Sequence, residues 1–320
     1  MLRLIARRLL SLVPVLFVVS FVVFLLVELV PGDAAVLVAG GSDATEERID
    51  EVRNDLGLDR PVVDRYVDWL GDAVQLDFGR SYLNYDNTAT PTVAEEIKDR
   101  LPVSLGLALA GIVVAIVIGI PLGILAGMRP GGVVDRLSVT GTSIGLAIPN
   151  FVLGFLLVQV FALTLGWYPA LGYTRFSESP TGWLETNTLP AVSLGVVAAA
   201  SVARQTRAAL IDVLQSNYVR TAFAVGSGTR RTVLKYAFKN AAIPTVTVLG
   251  LQLAALIGGV VIIEQLFSIP GIGSYMLRAL TLPDVPVIQA VTLTFVMIHV
   301  TLNLIVDLSY GYLNPRVRAS

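Results

Sequence analysis

The residues able to do chemistry in this chain are few, and their types exclude a good deal. His299 is the only histidine, and there is no cysteine among 320 residues. Disulfides, thiolate metal sites, cysteine nucleophiles and multi-histidine metal centres are thereby ruled out. No Gly-x-x-x-x-Gly-Lys-Ser/Thr phosphate loop or His-Glu-x-x-His occurs. What stands out is charge. Within "NYVRTAFAVGSGTRRTVLKYAFKNAAIP", residues 217–244, Arg220, Arg230, Arg231, Lys235 and Lys239 are cations with no acid among them. Glu28, Glu264, His299 and Asp307 fall in or at the ends of long apolar runs. An ionisable group at membrane depth is a functional candidate by default.

The elements that must position these groups are membrane spans. Mean hydropathy is +0.73 and only 15% of residues are charged, against about 25% in soluble domains. Runs of about 18 or more apolar residues are candidate helices across a bilayer, and their continuity argues against a barrel. Such runs lie at 9–30, about 102–127, about 137–165, about 242–264 and about 285–309. The first exceeds the apolar region of a cleaved signal, about 7–15 residues. A shorter run, 189–203, is followed by Arg204 and Arg207, whose stems can snorkel to an interface. Charge asymmetry makes it a span too. With six spans and the N-terminus inside, Arg3, Arg7, Arg8, Arg129, Arg136, Arg204, Arg207, Arg316, Arg318 and the whole cationic stretch face the cytoplasm, as the positive-inside rule requires.

The expected fold is therefore an all-α polytopic membrane protein of six transmembrane helices with both termini cytoplasmic. Its parts are a tail and first span at 1–30, an external acidic domain at 31–101, and a core at 102–320 carrying a cytoplasmic loop at 204–241. From Asp33 to Arg100 the external segment holds sixteen acids against seven bases, which fits adaptation to high salt, a docking surface or an ordinary solvated face. Val62, Val63, Tyr66, Val67, Leu70 and Val74 recur at helical spacing beside charged residues, so this segment is expected to form short helices. In the second span Gly119, Gly123 and Gly127 recur every four residues, a pattern for close helix packing.

The cationic stretch opens as a short helix. Ser216 or Asn217 suits its N-cap and Gly226 its end, while Tyr218, Val219, Ala222 and Phe223 form an apolar stripe. A helix this short needs a surface: either lipid headgroups or a groove on a cytoplasmic partner. Glu264 is either interfacial or part of a pathway. His299 either bonds a neighbouring carbonyl or hydroxyl, such as that of Thr301, or lines the pathway.

These residues resemble a known family, the membrane permease subunits of binding-protein-dependent ABC importers. More narrowly the chain resembles the dipeptide/oligopeptide/nickel group. The likeness is carried by "RRLLSLVPVLFVVSFVVFLLVELVPGD", "LGLDRPVVDRYVDWLGDAVQLDFGRSY", "IPLGILAGMRPGGVVDRL", "IPNFVLGFLLVQVFA", "LGWYPALGY" and "EQLFSIPGIGSYM". It also includes a cytoplasmic coupling motif of the form Glu-Ala-Ala, three residues, Gly, nine residues, apolar-x-Leu-Pro. Here Arg220, Thr221 and Ala222 stand at the first three positions, Gly226 at the glycine, Tyr236 and Phe238 at the apolar positions, and Lys239 at the proline.

The resemblance implies that 217–228 is a coupling helix docking on a cytoplasmic ATPase subunit, with Tyr218, Arg220, Thr221, Ala222, Phe223 and Gly226 as contact residues. It implies that the chain is not itself an enzyme and holds no cofactor, ATP being bound by two partner ATPase subunits. A second, similar permease subunit and an external solute-binding protein complete the complex in the cell membrane. Peptides or another small organic solute would be the cargo. The competing class is an ion-coupled secondary transporter acting alone. That needs acids or unwound ion sites at mid-membrane, and the second, third and fourth spans contain no acid.

Overall fold

A computed structural model of the chain describes residues 2–28, 33–85, 87 and 89–313. Side chains are described for these except at 2–9, 11, 12, 26–28, 42 and 307–313. The side chains of Glu28 and Asp307, the N-terminal arginines' side chains, Arg316 and Arg318 thus lie outside the described residues. The described chain is all helical: α1 (Leu2–Glu28), α2 (Ala34–Ala39), α3 (Glu46–Asp55), α4 (Val62–Val74), α5 (Val93–Met128), α6 (Val133–Ala147), α7 (Asn150–Leu157), α8 (Pro180–Leu214), α9 (Asn217–Ala224), α10 (Thr229–Arg231), α11 (Phe238–Phe267), α12 (Ile272–Thr281) and α13 (Val285–Leu313). Among the described residues four helical stretches are long and apolar enough to cross a membrane, or five if a bent pair counts as one. They are Val93–Met128, Pro180–Leu214, Thr229–Phe267 and Val285–Val306. The apolar part of α1 within the described side chains is the shorter Val13–Leu25.

Two compact units are present: Met1–Pro102 with Gly271–Val300, and Val103–Pro270 with Thr301–Ser320. In the first, α2 and α3 close on Ala35, Val38 and Val52. Each begins at a side-chain cap: Asp33 accepts from the Ala35 amide and Thr45 from the Arg48 amide. α5 starts well before its apolar run because Thr92 and Glu95 form a reciprocal capping box, at 2.8 and 3.3 Å. Its first turns bury Val93 and Ile97 against Ile272 and Ala279 of α12 and Val287, Ile288 and Val291 of α13.

In the second unit α8 is the central helix. About 67% of its apolar window is inside the protein, against 44%, 28% and 28% for the other three. That explains why the shortest apolar run in the sequence is still a full helix of 35 residues. It faces protein rather than lipid, so small residues serve it better than large apolar ones. α5 packs along it through the expected glycines. A Cβ at Gly119 would come within 2.7 Å of the Ala199 carbonyl oxygen, and one at Gly123 within 2.6 Å of the Ala203 carbonyl oxygen. Gly195 of α8 returns the approach against Gly111 and Val114.

The third run holds a bend that the sequence reading did not mark. Across residues 137–165, α6 and the stretch Asn150–Thr164 meet at 99°. Ile148 is extended (φ −88°, ψ 121°), as a residue before proline prefers, and Pro149 lacks the amide that would continue the ladder. Beyond α7, Val158–Thr164 winds as a π-helix.

Candidate functional site

The cationic stretch folds as a hairpin of helices between α8 and α11. α8 ends at Leu214 with Gln215 as its C-cap, and Ser216 turns extended (ψ 149°), giving α9 a sharp start. The Ser216 hydroxyl donates back to the Val213 carbonyl, so it closes α8 rather than capping α9. α9 ends in a Schellman pair. The Gly226 amide donates to the Phe223 carbonyl and the Ser227 amide to that of Ala222, both at 3.0 Å. Gly226 has φ +84°. A side chain there would meet open space within this chain. Backbone conformation, not close packing inside the subunit, therefore requires the glycine.

One side of α9 is anchored. Val219 is fully buried with Ala209 and Leu210 of α8 and with Val233, Ala237 and Ala241 of the following turns. Asn240 donates to the Tyr218 hydroxyl at 2.7 Å. Thr232 is fully buried and donates to the Ser227 carbonyl. The return strand of the hairpin is π-helical from Thr232 to Ala237 before α11 begins. The other side is presented outward. Tyr218, Phe223, Val225, Leu234 and Tyr236 are exposed, as are Arg220, Thr221, Arg230, Arg231, Lys235 and Lys239. Ala222 is half-buried. The hairpin is thus a rigidly seated, cationic surface with large apolar side chains facing out. Of these, Val225 is 77% exposed and does not fall on the stripe read from the sequence, because it lies in the cap after the helix.

Beside the hairpin, Asp135 of α6 and Arg207 of α8 form a two-pronged ion pair, one arm at 2.9 Å. Asp135 is almost fully buried and also accepts from the Gly131 amide at 2.8 Å. It therefore fastens the turn between α5 and α6 to α8. The signal was available: an acid three residues after the helix-starting Gly132 suits a carboxylate reaching back to the turn.

The two pathway candidates fall in different units. Glu264 of α11 is fully buried within the protein and accepts from the Ser104 hydroxyl of α5. Its carbonyl accepts from the Ile269 amide at 2.8 Å across the left-handed Ser268. His299 is exposed on α13 rather than buried in a bonding niche. A further buried acid escaped the sequence reading. Asp284, just before α13, accepts from the Ser81 hydroxyl and the Tyr82 amide. Burial pushes its carboxyl above the usual carboxylate range, and the Ser81 and backbone donors hold that rise back. An Asp followed by Val285-Pro286 is a helix-start signature that could have located it.

Comparison with known proteins fits this architecture. The C-terminal two-thirds, residues 119–319, matches the binding-protein-dependent transport system inner membrane component family. Residues 1–108 match the N-terminal component of such transport systems. A glutathione transport system permease protein of Escherichia coli is 40% identical over 99% of both chains. A probable peptide ABC transporter permease protein of Sinorhizobium fredii is 37% identical over 98% of both. The solved inward-facing MetNI methionine ABC transporter shares the fold at TM-score 0.56 and 18% identity, covering 68% of this chain and 96% of that one. This chain belongs to the binding-protein-dependent transport system inner membrane component family, the membrane subunits of ABC importers.

Proposed function

We propose that the chain forms half of the translocation pathway of an ATP-driven importer of peptides or peptide-like solutes such as glutathione. The observation that carries this reading is the full-length similarity to peptide and glutathione permeases, joined to a hairpin built to be gripped from outside. Six spans are proposed, α1 and the bent α6–α7 pair each counting as one. Both termini and the 204–241 loop face the cytoplasm, where the cations satisfy the positive-inside rule. The 31–101 segment is external, and 102–320 is the permease core. A second permease subunit, two ATPase subunits and a solute-binding protein are the proposed partners, with ATP bound only by the ATPases.

α9 is the proposed coupling helix. Val219 seats it on α8 and on the helical turns leading to α11, so a pull on its outer face moves both helices together. Movement follows only if the ATPase pair binds the two transport states with different affinity, and a stiff, well-packed connection transmits that difference as rigid-body motion.

Reconstituted vesicles test the reading. Uptake is expected only when ATPase subunits and ATP are supplied. Ala222→Trp or Gly226→Leu is expected to abolish uptake with the protein still in the membrane. Normal transport by both variants would remove the coupling assignment. Uptake driven by an ion gradient in the chain alone would establish the secondary-transporter class instead.

A further inference from the structure

α4 belongs to the acidic insertion that the sequence reading assigns to external water, yet it lies along α1. Tyr66 is buried, and its ring meets Phe17, Phe21 and Phe24 edge-on at centroid distances of 5.9, 5.1 and 5.5 Å. Its hydroxyl is 2.9 Å from that of Ser20, which is itself buried. Trp69 adds a contact to Phe24 at 5.6 Å. At about 1.5 Å per residue, the contact zone from Phe17 to Phe24 lies roughly 6–16 Å below Glu28, where α1 ends. Half the hydrocarbon thickness is about 15 Å. If α1 spans, as the proposed topology has it, α4 touches it within the outer leaflet.

The exposed side of α4 fits that depth. Val63, Val67 and Val74 are 65%, 60% and 78% exposed. At about 100° per residue they fall within an arc of roughly 40°. Asp64, Asp68 and Asp72 occupy a separate arc, where Asp68 pairs with Arg60 at 2.7 Å. α1 itself exposes Val18, Phe21 and Val22 beside the buried Tyr66 contact. The valine stripe therefore continues an apolar surface that the bilayer already covers.

We propose that α4 is an interfacial membrane helix, with Val63, Val67 and Val74 among the acyl chains of the outer leaflet and its aspartates at the headgroup water. The inference rests on α1 being a span. It recasts part of the acidic insertion as a float that fixes the depth of α1, not a cap standing in solvent.

The chain has no cysteine, so each substitution gives it one labelling site, and the unsubstituted chain with the same subunits supplies the background to subtract. Val63→Cys, Val67→Cys, Val74→Cys, Asp64→Cys, Asp68→Cys and Val18→Cys are each spin-labelled in the full chain with its co-purifying subunits. The samples are reconstituted in liposomes of phosphatidylcholine and phosphatidylglycerol. Collision with oxygen, which partitions into lipid, is compared with collision with a water-soluble nickel chelate. The valine sites are expected to favour oxygen over nickel several-fold more than the aspartate sites do, with a helical period. A label at Val67 as open to nickel as one at Asp68 overturns the proposal in favour of a solvent cap. A label there shielded from both reagents overturns it in favour of a protein partner. Val18 separates the two levels: a lipid-facing Val18 with a water-facing Val67 refutes the α4 assignment alone, whereas a water-facing Val18 refutes the span beneath it.

Discussion

Gly123 offers the sharpest test of how the second unit is held together. A methyl added there would sit 2.6 Å from both the Ala203 carbonyl oxygen and the Thr206 Cβ. The first is backbone of α8, so no rotamer change relieves it and the helices must move apart. Overpacking of this kind costs about 1–3 kcal/mol. Removing a glycine from a helix interior returns about 1 kcal/mol. The balance is a net loss of up to about 2 kcal/mol for Gly123→Ala. Gly106, on the same helix, is the internal control, since a Cβ there meets nothing within 4 Å. Gly106→Ala is expected to be neutral or slightly stabilising. Reversible denaturation in mixed micelles, followed by tryptophan fluorescence, measures both. Adding Gly119→Ala to Gly123→Ala is expected to cost less than the sum of the singles, because one separation of α5 from α8 relieves both clashes. Gly123→Ala at or above wild-type stability would refute the reasoning.

The geometry carries three further outcomes. Arg207→Met leaves the almost fully buried Asp135 carboxylate without its two-pronged partner and is expected to lower the denaturation midpoint. Asp135→Asn with Arg207→Met should recover part of that loss in the same assay; a double variant no better than the single would mean the pair is not coupled. Asp284, with its raised carboxyl, makes the native state hold a proton that the unfolded chain releases. Its contribution is therefore full below the usual carboxylate value and is lost as pH rises through the elevated one. Melting curves across that window should show a downward slope in wild type minus Asp284→Asn, and a flat or rising difference would contradict the buried environment. Crowded acids between Asp33 and Arg100 repel within about 8 Å at 0.15 M salt but only about 3 Å at 1 M. The midpoint of unfolding is accordingly expected to rise with sodium chloride, and a midpoint indifferent to salt would remove the argument for salt adaptation.

Much of this architecture was legible in the residues, and for identifiable reasons. Long apolar runs are decided by composition alone, so α5, α11 and α13 follow from hydropathy. α9 was legible from its end, in the glycine that tolerates φ +84°; at its start Ser216 holds the cap position but spends its hydroxyl on α8. The packing glycines were legible because close approach admits few other residue types. The depth of a single ionisable group was not. Glu264 and His299 look alike in a one-dimensional reading, yet one is fully buried and the other exposed. Which face of a helix carries a residue depends on partners that are distant in sequence, here Ser104 for Glu264.

The bend between α6 and α7 shows a different kind of blindness. A hydropathy window averages over some 19 residues, and across 137–165 that average is dominated by leucine, valine and phenylalanine. The break is set by one dipeptide, Ile148-Pro149, whose apolar character leaves the average untouched while its backbone chemistry stops the ladder. Proline alone was not a sufficient signal, because Pro190 and Pro244 lie inside α8 and α11 without ending them. The difference lies in the packing around each proline. α8 and α11 pack against one another, and Pro190 sits within a buried stretch of α8, Leu189–Ala191 and Ser193–Gly195, that gives this helix reason to continue through it. After Pro149, by contrast, Gly154 takes the new helix into close contact with Ser193, Leu266 and Phe267. The turn is stabilised by where the chain goes next, and that destination is tertiary information.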